Sequence, residues 1–346
     1  MPRTPRVSIL DVAAHAGVSK SAASRALLGQ GDVTEQVRAR VEAAATELGY
    51  VKDYRAHALK STSTRTVGIF VRTVRLSFYG ELIATIQHTI ESNGFQLAVF
   101  AASSDTRTET HTIEQMMGLR PAGIIIASGR VPTHTITGAA KTLPVVLAGR
   151  TNRLPGIDTV ADDGTGTAAL AERVAHHGHR EVAVLSIARS RSATLSARSQ
   201  RIRKELTALG VNVLPVPFAA DRDAADPEHL RRALETATAV MCPNDPTLIT
   251  TWEQLDAFGH RVPDDISLTG YDGIGQLASP VLGLTTWRQP IADIGHAVAE
   301  QILDRIKNPD TSPRHIRLTG CLQRGRTLRR HDPALSDSRS GSPVIA

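Results

Sequence analysis

Between residues 67 and 307, short and almost unbroken apolar runs take turns with longer stretches of helical period. VGIFV (67–71), FQLAVF (95–100), GIIIA (123–127) and PVVLA (144–148) predict strands. EVAVLS (181–186), VNVLPV (211–216), AVMC (239–242) and ISLTG (266–270) predict four more. Runs this apolar suit strands that are covered on both faces. Apolar residues recur every three to four positions at 79–93, 107–118, 166–177, 197–209, 228–236, 247–258 and 290–307, which predicts helices. Strands alternating with helices predict βαβ units and parallel sheets. The strands fall into two groups, so the expected fold is α/β with two doubly wound lobes.

The first fifty residues follow another pattern. In VSILDVAAHAGVSKSAASRALL (7–28), Val12, Ala13 and Ala16 give a first helix a small apolar face. Ser8 with Asp11 three positions later has the form of a capping box. Gly17 supplies the left-handed residue of a sharp turn, and Ser19 is a fresh N-cap. Ala22, Ala23, Ala26 and Leu27 then form the inward face of a second helix, which leaves Lys20, Ser21 and Arg25 outward. After the loop GQGDVT (29–34), with Thr34 as N-cap, Val37, Val41, Ala44, Ala45 and Leu48 stripe a third helix that Gly49 stops. The expected head is all-α. In a helix-turn-helix the second helix enters the major groove of DNA. Arg25 has the forked donors that suit guanine, and Lys20 suits guanine or phosphate. An αα-corner with a solvated basic face is the plainer alternative.

Residues 51–64, VKDYRAHALKSTST, hold one marginal helical turn followed by linker chemistry. The tail HDPALSDSRSGSPVIA is rich in Ser, Pro and Gly and is expected to be disordered. The expected division is therefore a helix-turn-helix domain at 1–50, a hinge and linker at 51–65, a two-lobed ligand-binding and dimerisation domain at 66–330, and the tail at 331–346.

Composition sharpens this in two places. The 346 residues carry a formal net charge of +6. Residues 1–65 hold ten Lys/Arg against six Asp/Glu, so most of the excess sits in the head and hinge, as a polyanionic partner would require. Cys242 and Cys321 are the only cysteines, which fits a reduced compartment rather than a disulfide framework. With no signal-peptide core and no apolar run of 18 residues, the expectation is a soluble cytoplasmic, nucleoid-associated protein.

The blocks DVAAHAGVS (11–19) with SRAL (24–27), VEAAATELGY (41–50) and AHALK (56–60) belong together with GHREVAVLS (178–186), PNDP (243–246), RVPDDISLTGYDG (261–273) and LTTWRQP (284–290). In this order and spacing the chain resembles the lactose-repressor/galactose-repressor (LacI/GalR) family of bacterial transcription regulators, over residues 7 to about 330. The resemblance implies a homodimer, a hinge helix ordered on DNA, and a core like the periplasmic sugar-binding proteins. It implies DNA contacts from Ser8, Ser19, Lys20, Ser21, Ser24 and Arg25, and from Leu59 and Lys60 of the hinge. Leu59 matches the family's wedge between base steps in the minor groove, against the alternative that it only packs the linker. Departures are equally plain. Ala22 and Leu28 lack polar groups usual in the family, Asp53 stands where Asn is common, and the Asn-Pro before the first core helix is missing. The usual pair of arginines before a glycine reads Arg198, Gln200 and Arg203.

Parallel sheets hold ligands beyond the carboxyl ends of their strands. Candidates there are Arg75, Ser77 and Phe78 after the first strand, Ser128 after GIIIA, Arg150 after PVVLA, Asp245 and Asp272 after AVMC and ISLTG, and Gln289 at a crossing between lobes. Arg198 joins them by resemblance. Carboxylate and Arg together hold adjacent sugar hydroxyls bidentately, although Asp245 and Asp272 also suit turn-capping. Phe78 is a candidate ring platform. GTGTAA (164–169) imitates a dinucleotide loop, but Asp162 and Asp163 would repel a pyrophosphate. His176, His177 and His179 lack partners at metal-ligand spacing, so no metal and no cofactor is expected. The expected function is a ligand-responsive repressor that binds a palindromic operator as a dimer and senses a sugar or related polar metabolite. A sugar-binding protein or sugar-acting enzyme with an incidental basic head is the alternative, but no nucleophile, base or cofactor loop supports an enzyme. No membrane association is expected.

Overall fold

A computed structural model describes residues 7–28, 33–50, 65–102, 106–150, 153–219 and 223–332. The chain divides into two compact units, Met1–Thr64 and Arg65–Ala346. The expected hinge, with Leu59 and Lys60, lies outside the described residues, as does the tail from residue 333.

In the first unit, α1 (Ile9–His15), α2 (Lys20–Leu28) and α3 (Glu35–Glu47) enclose Val12, Ala13, Ala16, Ala23, Ala26, Val41 and Ala44. The capping box is formed: Ser8 Oγ accepts from the Asp11 amide, and Asp11 Oδ2 accepts from the Ser8 amide at 2.8 Å. Gly17 has φ +65°, as the turn requires. Ser19 Oγ accepts from the Ala22 amide at 3.2 Å. Thr34 holds the N-cap position of α3 but makes no capping bond, so its contribution is its extended backbone alone. Ala22 and Leu27 are half-buried rather than enclosed, because the small alanine core closes over Ala23 and Ala26.

The second unit holds two six-stranded sheets. The first lobe contains β1 (Thr66–Val71), α4 (Ser77–Ser92), β2 (Gln96–Ala101), α5 (Thr106–Gly118), β3 (Gly123–Ala127), α6 (Thr133–Ala140), β4 (Val145–Ala148) and β5 (Asp158–Asp162). The second contains α7 (Gly166–His176), β6 (Glu181–Ser186), α8 (Ala193–Ala208), β7 (Asn212–Pro217), α9 (Pro227–Ala233), β8 (Ala239–Met241), α10 (Asp245–Ala257), β9 (Ser267–Asp272) and β10 (Thr286–Arg288). The chain then returns through α11 (Ile291–Lys307) and β11 (His315–Leu318) to the first lobe and ends in the second with β12 (Cys321–Gln323). Strand order is β11-β5-β4-β3-β1-β2 in one sheet and β12-β10-β9-β8-β6-β7 in the other. Every pairing is parallel except that of β12 with β10.

The inner strands of each sheet are buried on both faces, as their apolar runs demand, while the edge strands β2 and β7 are mostly half-buried or exposed. In the first, Val67, Ile69 and Val71 face α4 and α11, while Phe70, Ile124 and Ile126 belong to a second core with Ile113 and Ile136. Helix α8 begins at Ala193, four residues before its expected start, because Ser192 Oγ accepts from the Leu195 amide and caps it there. Helix α9 ends at Ala233, short of residue 236. The chain passes between sheets three times, after β5, β10 and β11.

Candidate functional site

The three crossings gather polar side chains where the two sheets meet. Strand β5 ends at Asp162, a buried carboxylate with three donors. Tyr271 Oη and the Gly164 amide donate to Oδ1, both at 2.7 Å, and Trp287 Nε1 donates to Oδ2 at 3.0 Å. Tyr271 lies on β9 and Trp287 on β10, so second-lobe strands hold the end of a first-lobe strand. Asp163 accepts from the Thr165 amide and hydroxyl and, at 2.6 Å, from Thr319 Oγ1 of the third crossing. Gly166 lies under the Trp287 ring, which leaves no room for a Cβ.

Helix α8 brings Thr194, Ala197, Arg198 and Arg201 to this junction at helical spacing. The Arg198 guanidinium stacks 3.7 Å from the Tyr271 ring centroid. It also donates to the Pro243 carbonyl at 2.7 Å and to Asp272 Oδ1 at 3.2 Å. Gln289 Nε2 donates to the same Asp272 oxygen at 2.6 Å, and its amide donates to the Asp272 carbonyl. Burial drives the Asp272 carboxyl upward, opposed by the charge of Arg198. Its φ of +126° is strained for a residue with a Cβ, and strain of this kind is retained where geometry serves a site. Arg198, Asp272 and Gln289 are thus brought together as one constellation.

Asp245 lies beneath that constellation. Its Oδ2 accepts from the Gly273 amide and its Oδ1 from Thr286 Oγ1, both at 2.7 Å. Burial and then the nearby Asp272 charge push its carboxyl up to about 7. Both oxygens brace β9 and β10, so Asp245 acts as a support for Asp272.

On the first-lobe side, Ser128 and Arg150 are buried. Ser128 Oγ donates to the fully buried Glu109, which also receives Arg130 Nε at 2.9 Å. Arg150 Nη1 donates to the Val131 carbonyl at 3.0 Å, and burial lowers its pKa. These bonds stiffen the loops after β3 and β4. Phe78 is half-buried, meets Tyr79 edge-on at 5.3 Å and lies near Gly149. Arg75 and Ser77 are exposed at the start of α4 and make no contact with the Arg198 constellation among the described hydrogen bonds. Arg72 Nη1 donates to the Arg191 carbonyl, and the Gly275 amide donates to Glu81 Oε1 at 2.8 Å, both across the lobes. The space left between Gly149, Asp162, Arg198, Arg201, Tyr271 and Gln289 is only about 50 Å³. Small-molecule pockets hold roughly 300–1,000 Å³, so the lobes are drawn together.

Glu109, Asp162, Arg201, Tyr271 and Trp287 did not stand out in the sequence. Asp162 reads there only as a charge that repels phosphate, and the partners that define it come from strands more than a hundred residues away. His179 is structural: it bonds Thr238 Oγ1 at 2.8 Å and the Arg329 carbonyl at 3.0 Å, and stacks on His331.

In the first unit, Ser8, Ser19, Lys20, Ser21 and Arg25 are exposed and Ser24 is half-buried. Lys20, Ser21 and Arg25 point away from the alanine core, the face through which a second helix reaches a major groove.

Residues 8–53 match the sequence pattern of bacterial regulatory proteins of the lacI family, and residues 171–328 match that of a periplasmic binding protein-like domain. This is a LacI-family DNA-binding domain joined to a periplasmic-binding-protein-like domain. The maltose regulon regulatory protein MalI of Escherichia coli K12 is 26% identical to this chain over 338 residues, 91% of this chain and 97% of that one. The lac repressor dimer bound to operator and the anti-inducer ONPF superposes with a TM-score of 0.76 at 21% identity, covering 94% of this chain and 99% of that one. The transcriptional regulator CelR in its cellobiose complex gives 0.65 at 25% identity, covering 93% and 100%. Among the described residues no helix is long and apolar enough to cross a membrane.

Proposed function

We propose that this LacI-family chain is a ligand-responsive repressor that binds a palindromic operator as a homodimer and senses a small polyhydroxylated metabolite between its lobes. The observation that carries the reading is the pairing of Arg198 with Asp272 and Gln289 at the lobe junction, on a chain whose head presents Lys20, Ser21 and Arg25 outward. A guanidinium beside a carboxylate offers donors and an acceptor to neighbouring hydroxyls. A second copy is needed because one such head reads too few base pairs for useful specificity. In this reading Ser8, Ser19, Lys20, Ser21, Ser24 and Arg25 contact DNA, with Leu59 and Lys60 of the hinge.

Arg198, Asp272 and Gln289 bind the effector. Phe78 offers it a ring face, and Arg75 and Ser77 meet it at the rim. Ser128, Arg150 and Asp245 shape the site from behind. The reading is regulatory rather than catalytic: among the described residues the buried carboxylates Asp162 and Asp245 are braced by internal donors. Deleting the gene and counting transcripts of its neighbours tests the direction of control. A rise that the restored gene reverses supports a repressor; unchanged transcripts under every carbon source contradict it.

A further inference from the structure

The lobe junction is short of free acceptors and rich in donors. Asp162 already receives three donors and Asp163 three more. Asp272 spends Oδ1 on Arg198 and Gln289, which leaves Oδ2 for one hydroxyl. The guanidinium of Arg201, one turn beyond Arg198 on α8, has neither a hydrogen-bonding nor a salt-bridging partner among the described residues. Its Nη1 end points at Gly164, where a Cβ would collide with it and where φ is +81°. Arg317 on β11 approaches from the first lobe and donates to the Arg150 carbonyl. Burial lowers its pKa, and the positive charges of Arg153 and Arg201 lower it further against the opposing charge of Asp162. Arg201 in turn favours the charged form of Asp163, so three guanidiniums meet two carboxylates at this edge of the junction. Three positive charges against two negative ones leave this edge net cationic, which favours an anion there.

A neutral sugar needs acceptors for its hydroxyls as well as donors. This edge offers it donors almost alone. We infer that the effector is a polyhydroxylated metabolite bearing an anionic group, phosphate or carboxylate, held by Arg201 with Arg317 and Arg153 while its hydroxyls meet Arg198, Asp272 and Gln289. The inference rests on the proposed effector site and adds the chemical class of its ligand. Arg201 supplies planar, forked donors matched to phosphate and carboxylate oxygens, and its exposure leaves them open to an incoming anion.

Full-length protein would be melted in rising inorganic phosphate, and separately in rising D-gluconate and D-glucose, with sodium chloride holding ionic strength constant. Wild type should show a saturable rise in melting temperature with phosphate or gluconate, and the apparent dissociation constant should weaken roughly tenfold in Arg201→Gln. Phosphate acting alone assigns a phosphoryl group, and gluconate acting alone a sugar acid. No saturable rise with either anion overturns the inference, as does an equal rise in Arg201→Gln, which would locate the anion elsewhere. A rise with D-glucose alone also overturns it and leaves the effector site standing. The melting temperature of Arg201→Gln in chloride alone shows whether the variant is folded. Sequence-specific DNA binding, assayed on the same preparations, reports on the repressor reading independently.

Discussion

Tyr271 Oη donates to Asp162 Oδ1 at 2.7 Å, tying β9 of the second lobe to the last residue of β5 in the first. Trp287 Nε1 holds the other oxygen at 3.0 Å. Hydrogen bonds to a charged group contribute about 1.5–3 kcal/mol. Tyr271→Phe should therefore destabilise the two-lobed unit by about 1–3 kcal/mol in urea denaturation. Trp287→Phe, which also loses packing, should cost at least as much. The double variant should fall short of the sum, because both bonds end on one carboxylate. Additive losses would mean that the two donors act independently of Asp162.

His179 sets an acid limit on the same unit. Burial is the main cause that lowers its pKa to about 4, from an ordinary value of 6.5. A histidine held neutral in the fold stabilises it above the unfolded pKa, and that contribution is lost as pH falls from 6.5 through 4. The full difference is of order 3 kcal/mol. His179→Gln should be less stable than wild type at pH 7, with the gap closing by pH 4. A gap that stays constant would show that His179 contributes only packing.

Asp245 has the opposite sign. Its carboxyl is pushed up to about 7, so the protonated form is favoured in the fold. The resulting stabilisation is complete below the ordinary carboxylate range and is lost as pH rises through 7. Asp245→Asn should flatten the fall in melting temperature between pH 5 and pH 8. If wild type and variant keep parallel profiles, Asp245 does not titrate in that window.

The hinge is where effector and operator are expected to communicate. Leu59→Ala should weaken operator binding and reduce DNA bending while effector affinity in the free protein stays unchanged. Circular-permutation gels and calorimetry measure the two halves separately. Wild-type bending and operator affinity together would restrict Leu59 to linker packing.

The long alternation of apolar strands and helices was legible because each core strand is buried by its own lobe. Gly17, Ser8 and Ser19 were legible because their partners lie within three residues. Helix α6, THTITGAA, was missed because threonine and glycine dilute its period. The strands β5, β10, β11 and β12 were missed for a different reason. DTVAD and TWR are short, and Asp162 and Trp287 within them find each other across the lobes. The same cause hid Asp162, and Arg201 was hidden because only the fold brings it to Gly164. Arg198 was found through the family pattern, and Asp272 and Gln289 through their places after a strand and at a crossing. Nothing local in the sequence joins Asp272 to Gln289 across the turn between β9 and β10.

The most direct measurement is selection of DNA by the full-length protein from a random-sequence pool, repeated with Arg25→Ala and followed by affinity measurements on the enriched site. The predicted result is one palindromic consensus with symmetric half-sites. Arg25→Ala should lose about 1–3 kcal/mol on that site and much less on random DNA. A pool that never enriches would contradict sequence-specific regulation. So would a consensus that Arg25→Ala and a head-deleted chain select equally well.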